Sequence, residues 1–117
     1  MAASASRYIS IQFSGDVVAS NTFQAASNAA SPAKADIVTL ASGANTITPP
    51  AGGSTPKAIT IIPPSGNTVD ITLKGVAGDT GIVLHNTDPT SIALDSPTAT
   101  FVLSAASEVV GVRLFWT

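Results

Sequence analysis

Between Lys57 and Lys74 the chain reads as two strands around a turn, and this pattern constrains everything else. Ala58-Ile59-Thr60-Ile61-Ile62 is β-branched and nearly continuous. Val69, Ile71 and Leu73 alternate with Asp70, Thr72 and Lys74, the two-residue period of a half-buried strand. Pro63 and Pro64 remove two backbone donors between them, so a ladder must stop there, while Gly66 and Asn67 tolerate a turn backbone.

The same grammar recurs along the chain. Arg7–Phe13 is a strand with Ile9, Ile11 and Phe13 on one face, closed by Ser14-Gly15-Asp16. Asp36–Leu40 is a strand; the chain turns over residues 41–45, and Thr46-Ile47-Thr48 returns before Pro49-Pro50. Gly81–His85 is apolar and reads as a central strand, and the Asn86–Thr90 turn follows it. Ser91–Leu94, Thr98–Leu103 and Glu108–Trp116 complete the set. In the last, Val110, Val112, Leu114 and Trp116 share one face, with Val109, Gly111, Arg113 and Phe115 on the other. About eight or nine short strands at a spacing near ten residues predict an all-β fold, an antiparallel β-sandwich of jelly-roll-like type. The expected core comprises Ile59, Ile61, Val69, Ile71, Leu73, Ile82, Leu84, Phe101, Leu103, Val110, Val112 and Leu114.

Residues 19–35 break the pattern. They are almost all Ala, Ser and Asn, with Phe23 the one large side chain. A short helix over about Asn21–Ala30 is one reading, with Asn21 as cap and Pro32 as stop. A surface loop, or an arm that orders against a neighbouring subunit, are the others. The chain therefore divides into residues 1–35, a strand with a flexible Ala/Ser-rich arm, and residues 36–117, a sandwich body, within a single domain overall.

Composition narrows the function. Of 117 residues, 10% are charged against about 25% in ordinary domains, and the net charge is −2. The five cations are scattered singly, which argues against nucleic acid. No run of about 18 apolar residues offers a membrane span. The first seven residues have neither the basic start nor the apolar centre of a signal peptide. Cysteine is absent, which removes thiolate chemistry and fits folding in a reducing cytoplasm.

Catalytic signals are equally thin. The one histidine, His85, precedes Asn86 and Asp88 and reads as bonded to its own turn; no Gly-x-Ser-x-Gly elbow singles out a serine. Asp79, Asp88 and Asp95 lie in turns without the order of a calcium loop. One Trp and one Tyr are a poor platform for sugars. The expectation is a chain with no catalytic residues, no cofactor and no metal. Its candidate contact residues are Phe23, Phe115 and Trp116. Phe115 and Trp116 lie on opposite faces of the last strand, and a lone sandwich usually covers only one face.

Several phrases carry a resemblance. They are Val38-Thr39-Leu40-Ala41-Ser42-Gly43-Ala44-Asn45-Thr46-Ile47, Ile61-Ile62-Pro63-Pro64-Ser65-Gly66-Asn67-Thr68-Val69, Leu73-Lys74-Gly75-Val76-Ala77-Gly78-Asp79-Thr80-Gly81-Ile82, His85-Asn86-Thr87-Asp88-Pro89-Thr90 and Arg113-Leu114-Phe115-Trp116-Thr117. Residues 37–117 resemble small virion proteins of tailed bacteriophages; residues 1–36 are not covered. The resemblance implies a β-sandwich structural part of head or tail, repeated many times per particle, and transfers no functional residue. The expected function is a non-enzymatic capsid decoration or cement subunit, made in the host cytoplasm and located in the virion. Its partners would be copies of itself, a trimer above all, and other virion proteins such as the major capsid protein, with no nucleic acid and no membrane. The alternative is a tail, fibre or baseplate component that binds a host-surface carbohydrate.

Overall fold

The computed structural model describes residues 5–12, 22–29, 34–50, 56–94 and 99–117. These residues form ten strands and no helix. In chain order they are β1 (Ala5–Gln12), β2 (Thr22–Ala29), β3 (Lys34–Leu40), β4 (Gly43–Ile47), β5 (Ala58–Ile62), β6 (Ile71–Lys74), β7 (Ile82–Val83), β8 (Thr90–Ala93), β9 (Phe101–Ala105) and β10 (Val109–Trp116). β1 and β2 make a hairpin of their own; the others form two four-stranded sheets, ordered β3-β10-β5-β8 and β4-β9-β6-β7. Every pairing between these strands is antiparallel, so the sandwich expectation holds.

The pairing is nested. β3 lies beside β10, β4 beside β9, β5 beside β8 and β6 beside β7. The chain runs inward to the β6–β7 turn and returns along itself, and every other connection from β3 onward crosses from one sheet to the other. This corrects one implication of the Lys57–Lys74 pattern. β5 and β6 are both strands, but they are not partners: β5 pairs with β10 and β8, β6 with β9 and β7. Pro63 and Pro64 cannot continue a ladder, and the segment between the strands arches across the core. Asn67 shapes the arch. Its amide N–H donates to the carbonyl of Pro64 at 3.1 Å. Its side chain accepts from the Val69 N–H and donates to the carbonyls of Val69 and Asn86.

The core lies between the sheets. Ile59 and Ile61 of β5, Leu40 of β3, and Val109, Val112, Leu114 and Trp116 of β10 face Ile47, Ile71, Leu84, Leu103 and Ala105. Val69, Leu73 and Phe101 pack half-buried against this cluster. Two expected core residues are outside it: Val110 is 64% exposed and Ile82 68%. The cause at Val110 is Gly111. Its φ of +87° makes a bulge, and the register with β3 slips between Val110 and Val112. The bulge turns both Val109 and Val112 inward and Val110 outward, which a strict alternation cannot do. At Ile82 the cause is strand length. The apolar run 81–85 yields only a two-residue edge strand, not the central strand expected of it, because the chain leaves the ladder to turn at His85.

Residues 22–29 also differ from expectation, being neither helix nor loop. They pair over their whole length with β1, from Gln12 opposite Thr22 to Ala5 opposite Ala29. Helix propensity is a weak prior, and a helix here offers only Phe23 for burial, whereas the β1 ladder satisfies the backbone. An isolated two-stranded hairpin is marginal in water. This one is tied to the body where Nε of Arg7 donates to Oγ of Ser91 on β8, a hydroxyl that also bonds Oγ1 of Thr60 on β5 at 2.9 Å.

Candidate functional site

The polar residues that chemistry would need are engaged in turns. Nδ1 of His85 accepts from the backbone N–H groups of Thr87, at 3.2 Å, and Asp88, at 2.8 Å. A ring nitrogen that accepts two amide protons does not also carry a proton for the Asp88 carboxylate. The 3.8 Å approach of that carboxylate to the same atom is therefore a by-product of the turn rather than an ion pair. Asp79 accepts from the N–H of Val76 at 3.0 Å. Asp95 lies outside the described residues. Among the described residues no three of His, Asp and Glu converge as metal ligands.

The three candidate contact residues fall in different places. Phe23 stands in β2 opposite Ile11, and its side chain lies outside the described residues. Phe115 is half-buried on the outer face of the β3-β10-β5-β8 sheet, opposite Thr60 and Ala35. Trp116 is 1% exposed and points into the sandwich, which corrects its assignment as a surface contact. β10 is an interior strand, flanked by β3 and β5, so one of its apolar faces is simply core.

Trp116 instead belongs to a feature that the sequence did not disclose. At one end of the sandwich an open groove of about 840 Å³ runs along the seam of the two sheets. Ile59, Ile92 and Trp116 line it from one sheet, Leu73, Ile82 and Phe101 from the other. The rings of Trp116 and Phe101 lie 6.2 Å apart at 57°, a tilted aromatic pair. The polar lining comes from Lys74, Asp79 and Thr80, around the β6–β7 turn, and from Thr100 before β9. The one signal in the sequence is the inward phase of Phe101 and Trp116; the groove above them depends on pairings distant along the chain.

A second feature lies on the outer face of the β3-β10-β5-β8 sheet. Ile37 is 71% exposed and Val110 64%. Thr39 sits opposite Val110, and Ile37 is two residues along on the same face. Arg113, opposite Ile37, is the exposed charge beside them. Among the described residues β3 is an edge strand of this sheet, and it carries Lys34 and Asp36, whose charges are 3.4 Å apart. Charged outer strands discourage edge-to-edge pairing. Comparison with known proteins finds no family model, no curated sequence and no solved structure that matches the chain.

Proposed function

We propose that the chain is a non-catalytic structural subunit of a tailed-bacteriophage particle, a decoration or cement protein that acts as a homo-oligomer seated on the major capsid protein. The observation that carries this reading is the outer face of the β3-β10-β5-β8 sheet. On a chain with only 10% charged residues, Ile37 and Val110 stand exposed together beside half-buried Phe115. Packing copies through such a face strands few ions, and an apolar centre of this kind is what a stable interface covers. Two further points support it. The nested pairing resembles that of jelly rolls, an architecture common to capsid and lectin domains, and supports the reading by analogy alone. The engagement of His85 and Asp79 in their own turns leaves them without the geometry of a nucleophile and base.

The test is light scattering of the purified chain, beside the double variant Ile37→Asp, Val110→Asp, followed by addition of each to phage particles lacking the protein. The expected result is an oligomer, a trimer first, that binds the particle, and a folded monomer for the double variant. A wild-type chain that stays monomeric at high concentration and leaves such particles bare overturns the proposal.

A further inference from the structure

We propose that His85 is a pH-dependent switch of the turn between β7 and β8, in which its Nδ1 exchanges the backbone amides of Thr87 and Asp88 for the Asp88 carboxylate when the ring takes up a proton. Both sets of partners already surround the one nitrogen. The N–H groups of Asp88 and Thr87 donate to Nδ1 at 2.8 and 3.2 Å, and a carboxylate oxygen of Asp88 stands 3.8 Å from it. A neutral imidazole has one donor nitrogen and one acceptor nitrogen. With Nδ1 accepting, the proton of the neutral ring is on Nε2. A second proton can go only to Nδ1. That nitrogen then becomes a donor and loses the lone pair that the two amides share. The nearby carboxylate is an acceptor of opposite charge, and a charge-assisted bond draws it in.

The surroundings suit a change of partner rather than unfolding. The side chains of His85 and Asp88 are 62% and 76% exposed, so water can take over the amides that the ring releases. The chain is anchored on both sides of the switch by bonds that do not involve the ring. The Leu84 N–H donates to the carbonyl of Ile71 at 2.8 Å, and the Asn67 side chain donates to the carbonyl of Asn86 at 2.9 Å. At Thr90 the chain joins the β5 ladder. The Thr87 hydroxyl, 3.5 Å from Nδ1, can donate or accept and so opposes neither state. On the arch packed against the turn, the titratable group is the exposed Asp70. Histidine ordinarily changes charge between about pH 5 and 8, where carboxylates ordinarily stay ionised. The amide bonds therefore hold at the basic end of that window and are lost as the pH falls through it, and the ion pair does the reverse.

The inference is independent of the particle role, and its test is a nuclear magnetic resonance titration of the full chain across that window. At the basic end the ring should be the Nε2–H tautomer. The amides of Thr87 and Asp88 should follow the ring with its own midpoint. Corrected for the intrinsic pH dependence of exchange, they should exchange at least several-fold faster once the ring is charged, while the amides of β5 and β10 stay as they were. A charge that merely sat nearby would move their resonances without exposing them. Asp88→Asn keeps both backbone donors and removes the anion, so the ring midpoint should move to lower pH; Asp70→Asn should leave it in place. His85→Asn supplies a side-chain oxygen that accepts from the backbone two residues on and takes up no proton in this window, so it should hold the turn without a pH response. An Nδ1–H tautomer at the basic end, amides indifferent to the ring, resonances that move without faster exchange, a midpoint unmoved or raised by Asp88→Asn or lowered as far by Asp70→Asn, or a pH response that survives in His85→Asn each overturns the assignment.

Discussion

Gly111 and Gly81 offer a matched test of what backbone conformation contributes, apart from space. Both have positive φ, +87° and +75°. A Cβ on Gly111 would meet nothing closer than Cβ of Pro64, at 3.9 Å, an ordinary contact. The cost of Gly111→Ala is therefore conformational alone, about 1–2 kcal/mol for an L-residue held in the left-handed region. With a urea dependence of about 2 kcal/mol per molar, the unfolding midpoint should fall by roughly 0.5–1 M. A Cβ on Gly81 would lie 2.5 Å from the carbonyl oxygen of Leu73 and 2.8 Å from Cγ2 of Thr72, in the strand it must pair with. Gly81→Ala therefore adds a backbone clash to the strain. β7 has only two residues, so the chain can relieve the clash by parting β7 from β6, which caps the cost at about 2–4 kcal/mol.

Urea unfolding followed by Trp116 emission gives both stabilities, and amide exchange locates the damage. Gly111→Ala should lower the midpoint with exchange otherwise unchanged. Gly81→Ala should lower it further and expose the amides of β6 and β7 first. A Gly111→Ala chain as stable as wild type, or less stable than Gly81→Ala, refutes the reasoning, because the bulge would then not need its positive φ.

Three further outcomes follow from the packing. Ile71→Asp places a carboxylate at a site 2% exposed with no cation in the core cluster, so the chain should fail to fold at neutral pH, seen as loss of the β signal in circular dichroism. Asn67→Ala removes the bonds to Val69 and Asn86 that hold the arch, and should cost about 1–3 kcal/mol by thermal denaturation without changing the strand content. A chain beginning at Lys34 lacks the β1–β2 hairpin but keeps all eight strands of the two large sheets, and should give a dispersed amide spectrum with the β5 and β10 signals little moved.

The strands were legible because their signal is local. Ala58–Ile62 is a strand with the bounds its β-branched run announces, and Asp36–Leu40 needs only two more residues at its start. Partners were not legible, because pairing in a nested sandwich joins residues far apart: Leu40 meets Val109 and Ile59 meets Trp116. The strand–turn–strand pattern at Lys57–Lys74 is the same whether the strands pair or arch across a core. Only β10 and β9, much later in the chain, decide between these. A single glycine inside a strand was the visible warning of the bulge at Gly111, since glycine there contributes no packing and often marks one. The hairpin partner of β1 went unread for the opposite reason. Its composition favours helix locally, and its β1 ladder prevails only once both strands are present.

The candidate site shows the same division. Phe115 and Trp116 drew notice because the last strand is apolar on both faces, which is hard to satisfy at the edge of a small sandwich. An interior strand satisfies it differently. With β3 on one side and β5 on the other, β10 commits Val112, Leu114 and Trp116 to the core and leaves Phe115 and Val110 on the outer face. Half of the sequence argument for assembly is thereby used up by folding. The other half is strengthened, because the bulge at Gly111 moves Val110 outward, onto the face that carries Ile37. That bulge keeps Val109 and Val112 in the core at the expense of exposing an apolar side chain. Such an exposure has no benefit to an isolated sandwich, and its cost disappears when a second surface covers it.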